Sequence, residues 1–470
     1  MRLNRGATTT THWLPRWLAV LFPCSIVGSV LGQSVLVPPP GFQGAPNVPA
    51  MGNISPTVGQ PNAQASGQAN GTANAPATGQ ATTPAEGESS ETGTATAAPA
   101  APMETLMEWG ALHLRARASY QFVYDTGIHS QPGKSSDTFT HTVSPGMTIF
   151  FGPHVSLDYS PSFRFFSQSD FHNTVDQAVS LSAGVGVGDW TLGLSQSFTL
   201  TDEPSVETSG QTEEKNYSAS LNALYQFNDK ISFDTSASVG LQFLNGTNAP
   251  VDTNSPVPFT PALTDSQNYS ASEWMDYKFD EKISGGVGVT LSYSEQNSGF
   301  SSVSEEYRGR VSWRPGKKLT VAISGGLQDQ QFLDTGAQDL LTPVFSTTIT
   351  YRLFEQTTLS LSADRDVNTS LFQNQVTEST RLGLGLQQRL FGKLQMSLGF
   401  GYSTADYKDT TGKLITSRSD DNTSYSVGFN YPLWKRSSIS AFYQYTQNSS
   451  SASAFGYSSS QVGAVLSWAY

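Results

Sequence analysis

The feature that most constrains this chain is an alternation of apolar and polar side chains that continues from residue 110 to residue 470. In the run ALHLRARASYQFVY, Leu112 and Leu114 fall on one face, whereas Arg115 and Arg117 fall on the other. A period of two places successive side chains on opposite faces of a β-strand. Counting such runs predicts about 18 strands, with about 16 as the alternative.

The connections between these predicted strands fall into two alternating classes. Short turns lie near Gly152, Gly188, Asn228, Asp280, Pro315, Glu355, Gly392 and Trp434. Long connections lie at 125–137, 167–174, 201–215, 244–267, 295–303, 329–341, 366–373, 405–422 and 447–456. An outer-membrane barrel has short turns at one end and long loops at the other, and its closed sheet leaves no unpaired edge in the bilayer. A β-propeller is excluded because each period holds two long strands instead of four short ones.

We therefore predict an all-β fold, a transmembrane antiparallel up-and-down β-barrel preceded by a disordered linker. Aromatic residues cluster beside the short turns and predict a girdle at the membrane interface there. They are Tyr225, Phe227, Tyr277, Phe279, Trp313, Tyr351, Phe391, Tyr431 and Trp434.

The first 104 residues have a different composition. Residues 1–32 read as a signal peptide, with arginines before the apolar run WLAVLFPCSIVGSV and cleavage after Gly32. Residues 33–104 are a low-complexity segment that we predict to be a disordered periplasmic linker. The barrel then occupies residues 105–470.

Charge and cysteine content exclude several function classes. The formal net charge is -12 and becomes -15 once the predicted signal peptide is removed, which argues against nucleic acid as a partner. Cys24 is the single cysteine and lies in that signal peptide, so the mature chain has neither a disulfide nor a thiolate metal site.

Catalysis, metals and cofactors have little support in the sequence. Neither an HExxH motif nor a close set of His and carboxylate ligands is present, so we predict no metal and no cofactor. His129 or His172 with Asp125 or Asp170 is the remaining catalytic pairing, and its spacing is that of ordinary polar loop residues. The sequence therefore predicts a protein that is not an enzyme.

The C-terminus QVGAVLSWAY resembles the terminal β-signal that the barrel-assembly machinery recognises in bacterial outer-membrane proteins. The matching positions are Val462, Ala464, Leu466, Trp468 and Tyr470. Together with the signal peptide and the amphipathic hairpins, this ending resembles the putative β-barrel porins of Gram-negative bacteria. The resemblance implies contact with outer-membrane lipid and lipopolysaccharide, and implies that the linker and the C-terminus lie on the periplasmic side.

The alternation also directs charged residues to the barrel lumen, since a charge facing lipid at mid-membrane costs about 2 to 4 kcal/mol. The predicted pore-lining residues are Arg115, Arg117, Arg164, Arg308, Arg310, Arg314, Arg352, Arg381, Arg389, Asp158, Asp234 and Asp276. Two interpretations stay open. The arginines attract anions, or they pair with lumen acids and stiffen the wall.

The third long loop, residues 201–216, carries five acids, namely Asp202, Glu203, Glu207, Glu213 and Glu214. It is either a constriction that folds inward toward the arginines or a solvated surface loop. The function predicted from these features is a porin-like channel for passive diffusion of small hydrophilic solutes. The alternatives are a conduit for exopolysaccharide export and a non-conducting surface adhesin or scaffold.

Overall fold

A computed structural model describes residues 107–131, 134–205, 208, 210–246, 263–297, 301–333, 339–372, 375–409 and 418–470. The predicted signal peptide and linker, and Glu207, lie outside these residues. No helix within the described ranges is long and apolar enough to cross a membrane.

The described chain is almost entirely β-strand. A short strand, β1, spans Met107–Trp109. The strands that follow it are β2 (Leu112–Gln131), β3 (Lys134–Phe151), β4 (Val155–Phe166), β5 (Thr174–Val187), β6 (Trp190–Ser205), β7 (Gly210–Gln226), β8 (Ile231–Gly246), β9 (Ser266–Lys278) and β10 (Ile283–Gln296). The remaining strands are β11 (Ser301–Trp313), β12 (Leu319–Leu333), β13 (Leu340–Phe354), β14 (Thr357–Thr369), β15 (Gln375–Leu390), β16 (Leu394–Asp409), β17 (Arg418–Trp434), β18 (Ser437–Ser450) and β19 (Tyr457–Ala469).

Strands β2 to β19 form a closed antiparallel barrel of 18 strands, which confirms the predicted fold and the higher strand count. Each strand pairs with its neighbours in sequence, and β19 closes the barrel on β2 through ten residue pairs from Ser460↔Thr126 to Ala469↔Arg117. Strand β1 pairs with the first residues of β2, just past the point where β19 ends. With a strand spacing of about 4.8 Å and a tilt of about 40°, such a barrel is roughly 36 Å across.

All eight predicted short turns lie at one end of the barrel, which we call the short-turn end. The connections at the opposite, long-loop end are shorter than predicted because the strands continue into them. For example, β6 and β7 extend to Ser205 and Gly210 inside the predicted loop 201–215, and β2 extends to Gln131. Beyond the membrane both faces of a hairpin meet water, so the strands keep their pairing without the alternation that marks a strand in the sequence.

The recurring sequence around the short turns has a local structural cause. In YQFNDKI, the Asn228 side-chain oxygen accepts hydrogen bonds from the backbone N–H of Lys230 at 2.9 Å and of Ile231 at 2.8 Å. Asp280 plays the same part in YKFDEKI, where it accepts from the N–H groups of Lys282 at 2.6 Å and Ile283 at 2.8 Å. An Asn or Asp side chain that accepts from the backbone two or three residues on holds a tight turn, so the repeated wording encodes hairpin reversal.

The outer surface of the barrel is apolar and bounded by aromatic rings. Leu221, Val287 and Leu384 are examples of aliphatic side chains exposed there. At the short-turn end Trp190 stacks on Tyr225 with ring centroids 4.6 Å apart, in the predicted girdle. A second aromatic level, which the sequence analysis missed, lies toward the long loops and has these ring pairs: Tyr269 with Tyr293, Tyr425 with Tyr445, and Tyr120 with His141.

Glu273 departs from this apolar outer surface. It lies on the outer face of β9, midway between Tyr277 and Tyr269, and is exposed. Thr235 on the neighbouring strand β8 donates a hydrogen bond to its carboxylate. A carboxylate is therefore held at mid-height on the surface that faces lipid.

Candidate functional site: the lumen wall and its two ends

The lumen face of the barrel is polar, and its arginines are arranged in two groups. Those in the body of the wall pair with carboxylates on nearby strands or on their own strand. Those at the short-turn end have no carboxylate partner among the described residues. The pairs follow from register, because antiparallel pairing brings side chains on one face of adjacent strands within reach of each other.

Arg117 and Asp158 form the most fully satisfied pair. The Arg117 guanidinium donates to both Asp158 carboxylate oxygens, at 2.5 and 2.6 Å. Thr148, on the strand between them, donates to the same carboxylate at 2.6 Å, and Ser160 accepts from Arg117 at 2.6 Å. Two parallel charge-assisted bonds are strong and geometrically specific, so this network stiffens β2, β3 and β4 as one unit.

Arg310 is held by two acids and an aromatic ring. Its Nε donates to Asp276 at 2.8 Å, and its guanidinium also reaches Asp234 at 3.4 Å. The guanidinium carbon lies 4.2 Å from the centroid of the Trp274 ring, and Trp274 is buried on the lumen face of β9. This stacking adds a cation–π contact to the ion pair and fixes the arginine against the wall.

Arg381 and Arg308 are also paired. Arg381 donates to Asp364 at 2.7 Å and to Asp366 at 2.6 Å. Arg308 forms an ion pair with Glu306 on its own strand. The lumen wall therefore contains acids beyond Asp158, Asp234 and Asp276, among them Asp364, Asp366 and Glu306. Which arginine each acid pairs with can be read only once the strand register is known.

Four predicted pore-lining arginines lie at the short-turn end instead. Arg115, Arg352 and Arg389 occupy lumen-facing positions near the ends of β2, β13 and β15, and Arg314 follows the last residue of β11. Arg115 lies 5.3 Å from the centroid of the Phe150 ring. Among the described residues, none of the four has a carboxylate within 4.0 Å.

Exposed lysines of the turns surround these arginines, and we call the whole set the basic rim. Its lysines are Lys230, Lys278, Lys282, Lys317, Lys318, Lys393 and Lys435. The acids of the same turns are Asp189, Asp229, Asp280, Glu281 and Glu355. The rim therefore carries an excess of positive charge next to the lumen opening.

Between the ion pairs, serine and glycine line the lumen. On β6 to β9 the serine hydroxyls hydrogen-bond across the strands at 2.7 Å, in the pairs Ser195–Ser220, Ser197–Ser218, Ser236–Ser272 and Ser238–Ser270. On β14 to β17 serines lie over glycines of the facing strand. A Cβ on Gly385 would come within 2.5 Å of the Ser360 oxygen. These small side chains leave space beside them, since Ser195, Ser360 and Ser362 are all exposed.

The hairpin of β14 and β15 bends into the lumen at the long-loop end. Pairing of β13 with β14 stops at Phe345, two residues after Pro343, which has no backbone N–H to donate. Above that point the outer face of the hairpin lies against the inner face of β13, where Thr342 donates to Glu378 at 3.2 Å. Val376 is buried in the same contact.

The tip of this hairpin contacts β10 and the residues just before β9. The Gln296 side chain donates to the Ser370 carbonyl at 3.2 Å, and Thr264 N–H donates to the Leu371 carbonyl at 3.1 Å. Phe372 is 1% exposed, packs against Leu263, and lies edge-on to Phe455 with centroids 6.5 Å apart. An apolar cluster contributed by three separate connections therefore spans part of the long-loop end.

Arg418 stacks on that cluster. Its guanidinium carbon lies 3.7 Å from the Phe455 centroid and 4.5 Å from the Tyr407 centroid. Asp420, on the same strand, accepts from its Nε at 3.0 Å. A buried arginine that is both stacked and paired ties β17 to the connection between β18 and β19.

The third long loop also leans over this opening. Cα atoms of β7 come within 8 Å of β2, although four strands separate them in the sheet. Arg164 pairs with Asp176 at 3.1 Å and with Glu203. Burial raises the pKa of Glu203, and the charge of Arg164 opposes that shift.

The other acids of this loop are placed differently. Glu214 faces the lumen, is buried, and accepts from Gln242 at 2.7 Å. Glu213 pairs with Lys215 on the outer face at 2.8 Å, and Asp202 also lies on the outer face of β6. The loop thus sends Glu203 and Glu214 to the lumen side and two other acids outward.

The residues weighed for catalysis lie in β2 and in the connection between β4 and β5. Asp125 is buried in the lumen wall and accepts from Ser459 at 2.7 Å and Gln461 at 2.6 Å. Asp170 accepts from Ser136 at 3.1 Å. His172 lies in the connection between β4 and β5, and the side chain of His129 is outside the described set. No group of three or more potential metal ligands is present among the described residues.

The residues of the C-terminal signal form part of the outer wall. Val462, Leu466 and Trp468 are exposed on the outer face of β19, with Ala464 between them. Tyr470 donates its backbone N–H to the Ala116 carbonyl at 2.9 Å. Its ring lies 3.7 Å from the guanidinium carbon of Arg436.

The closed fold, the apolar outer belt and the polar lumen define a porin-like outer-membrane β-barrel. Residues 279–470 match the family described as Putative beta-barrel porin 2, which confirms the resemblance found in the sequence. No curated protein matches the sequence.

Solved structures to which the chain is similar include two porin-type proteins and a receptor. OccAB3 of Acinetobacter baumannii is 6% identical with a TM-score of 0.43, and the match covers 76% of this chain and 99% of that one. OpdK of Pseudomonas aeruginosa, solved with vanillate, is 9% identical with a TM-score of 0.41, and the match covers 76% of this chain and 99% of that one. The siderophore receptor PirA of Pseudomonas aeruginosa is 11% identical with a TM-score of 0.40, and the match covers 76% of this chain and 80% of that one.

Proposed function

We propose that the protein is a passive channel for small hydrophilic solutes, and that uncharged, hydroxyl-bearing solutes pass most readily. The observation that carries this proposal is the serine- and glycine-lined wall, with Ser195 and Ser362 exposed beside it. A barrel of 16 to 18 strands is too wide for its side chains to fill, so an aqueous path is the physical expectation.

The proposed preference for uncharged solutes follows from the chemistry of that wall. A serine hydroxyl both donates and accepts, so it can exchange hydrogen bonds with water and with polyols in turn. The arginines at similar depth are ion-paired, for example Arg117 with Asp158 and Arg381 with Asp364 and Asp366. This arrangement supports the wall-stiffening interpretation of the deeper arginines.

We also infer that the short-turn end faces the periplasm, because outer-membrane barrels have short periplasmic turns. Both β1 and the C-terminal residue lie at that end. Protease protection of intact cells tests this orientation. A cleavage site inserted at Lys317 should be protected, and one inserted at Ser451 should be cut.

The channel is tested by planar-bilayer recording and vesicle swelling with the purified full chain. We expect conductance, and faster swelling with a neutral disaccharide than with gluconate or a protonated amine of similar size. Ser195→Ala with Ser220→Ala should slow swelling in the disaccharide, whereas Ser449→Ala on the outer face should not change it. Absence of conductance rejects the channel, and conductance without the neutral preference rejects the proposed solute class.

A second candidate, a non-conducting adhesin or scaffold barrel, is favoured by the apolar cluster at the long-loop end. Phe372 and Phe455 pack there across separate connections. On this alternative the chain would not conduct even after the cluster is opened by substitution, and host-cell binding would depend on the long loops.

A further inference from the structure

A small polar cavity lies between the lumen wall and the inward-bent hairpin of β14 and β15. One side of it is formed by lumen-facing side chains of β9 to β12, and the other side by β14. The lining consists of four serines, two glutamines, two asparagines, one threonine and one valine. No charged side chain belongs to this lining, so the ligand that suits it is uncharged.

Strand register brings the polar side of the cavity together. Asn268, Ser294 and Ser302 are paired across β9, β10 and β11 in one row. Ser304 pairs with Gln330 across β11 and β12 in the neighbouring row. Paired residues on one face of antiparallel strands lie within reach of each other, so these hydroxyl and amide groups form a continuous polar surface.

The hairpin covers this surface with its outer face. Val367 and Thr369 lie on the same face of β14 as Leu361, which is on the outer surface of the barrel below the bend. Val367 is buried and is the one apolar residue in the lining. An apolar side chain opposite several polar groups suits a sugar, whose ring carbons are apolar and whose hydroxyls project from the ring.

Three polar atoms in the cavity are buried without a partner. Among the described residues, none forms a hydrogen bond with the Ser294 hydroxyl, the Gln330 Oε1 or the Asn368 Nδ2. Gln330 is 5% exposed, and its Nε2 already donates to Ser302 at 3.3 Å. Leaving buried polar atoms unpaired is unfavourable. An acceptor, a donor and a hydroxyl together match a ligand whose own hydroxyls both donate and accept.

The size of the cavity limits how much of a ligand can enter. Its volume is about 40 Å³, enough for about three water molecules, since each needs roughly 10 to 15 Å³. Asn268 and Ser292 are half-buried, so solvent reaches the cavity. A cavity of this size takes one edge of a sugar ring, and the rest of the ring stays in solvent.

We propose that this cavity binds a vicinal diol, the two adjacent hydroxyls on one edge of a neutral sugar or polyol. Gln330 accepts from one hydroxyl, Asn368 donates to the other, and Val367 packs against the carbons that bear them. Any part of this site in solute passage rests on the proposed channel function, whereas binding itself does not.

Saturation-transfer NMR tests the binding without any measurement of conductance. The full chain is purified in a detergent that has no sugar headgroup, and glucose is the probe. We expect a saturable signal that is strongest for the protons of one ring edge. Cyclohexanediol with adjacent hydroxyls should bind at least fivefold tighter than the isomer whose hydroxyls are on opposite carbons of the ring. No saturable signal, or equal binding of the two isomers, overturns the proposal.

Gln330→Met removes the acceptor and keeps the length of the side chain, so glucose binding should weaken at least fivefold. Gln331→Met is the matched control, because Gln331 is exposed on the outer face of the same strand. Heat-modifiable mobility checks that both variants form the barrel. Unchanged binding in Gln330→Met, or an equal loss in the two variants, overturns the proposal.

Asn368→Asp provides a gain of binding that a misfolded chain cannot give. A carboxylate in place of the amide attracts a cation, so the affinity for protonated glucosamine relative to glucose should rise at least threefold. Gln331→Glu, on the outer face, should leave this ratio unchanged. A ratio that does not rise in Asn368→Asp overturns the proposal.

Vesicle swelling separates the site from the channel. A chain that binds glucose through Gln330 but forms no channel would reject the proposed function and keep the site. A chain that forms a channel but binds glucose equally well after Gln330→Met would reject the site and keep the channel.

Discussion

At the scale of single residues, a charged side chain is stabilised in the lumen and destabilised on the outer wall. Arg381 is stabilised on the lumen side because two aspartates and water are within reach. Glu273 has lipid in front of it and a hydrogen bond from Thr235 beside it. The predicted lumen positions of the arginines followed from this rule, but their partners could not be predicted. Asp364 and Asp366 are selected by strand register, which the alternation alone does not give.

Glu273→Leu tests the cost of the lipid-facing carboxylate. A carboxylate at mid-membrane is unfavourable by less than the 2 to 4 kcal/mol of a cation, so we expect the free energy of unfolding to rise by about 1 kcal/mol. The measurement is urea unfolding in lipid vesicles. Glu213→Leu, on a hairpin beyond the membrane, serves as the control and should bring no gain. A lower stability of Glu273→Leu would show that the carboxylate has a favourable partner.

Asp364→Asn combined with Asp366→Asn tests the ion pairing of the lumen wall. Arg381 would lose both ion pairs and present its charge to the lumen, so the channel should become more anion-selective. The reversal potential in a salt gradient reports this change. Asp329→Asn, on the outer face of β12, is the matched control. An unchanged reversal potential would exclude Arg381 from the path of the ions.

At the scale of elements, the hairpin of β14 and β15 is the feature that sequence reasoning missed. The third long loop was selected in the sequence because it is acidic, and β7 does approach β2 across the opening. The segment 366–373, at the tip of the β14–β15 hairpin, has no such cluster of acidic residues. Its position depends on contacts such as Gln296 with Ser370, between strands far apart in the chain. By contrast, the short turns at Asn228, Asp280 and Gly392 were predictable because these residues act within a few positions of the chain.

Phe372→Ala tests whether this hairpin restricts the opening. Removing a side chain that is 1% exposed should loosen its packing on Leu263 and Phe455, so single-channel conductance or its open fraction should rise about twofold or more. Phe391→Ala is the control, because Phe391 is 95% exposed at the opposite end. Equal conductance in the two variants would place the restriction elsewhere.

At the scale of the whole molecule, charge is divided between the two ends of the barrel. The basic rim occupies the short-turn end, whereas Glu305, Asp329 and Asp421 belong to the long-loop end. This division can be read from the sequence, because it follows from which connections are short. The shape of each opening could not be predicted from the sequence, because inward bending of a hairpin does not change the alternation of apolar and polar residues.

Tyr470→Ala tests the C-terminal residue as part of an assembly signal. We expect less folded barrel in the outer membrane of cells, measured by heat-modifiable mobility, with little change in refolding of the purified chain in detergent. Arg436→Gln removes the ring contact of Tyr470 but keeps the C-terminal residue, and is the control. Equal loss in cells and in detergent would assign Tyr470 a purely structural part.

Closure of β19 on β2 joins residues that are more than 330 positions apart, as in the bond from Ser459 to Asp125. Strand β2 begins the barrel, and its second neighbour is the last strand of the barrel. Until that neighbour pairs, a folding sheet has two open edges able to pair with other chains. Completion of the barrel therefore waits for β19, and a chain truncated before Tyr457 would leave a sheet that cannot close.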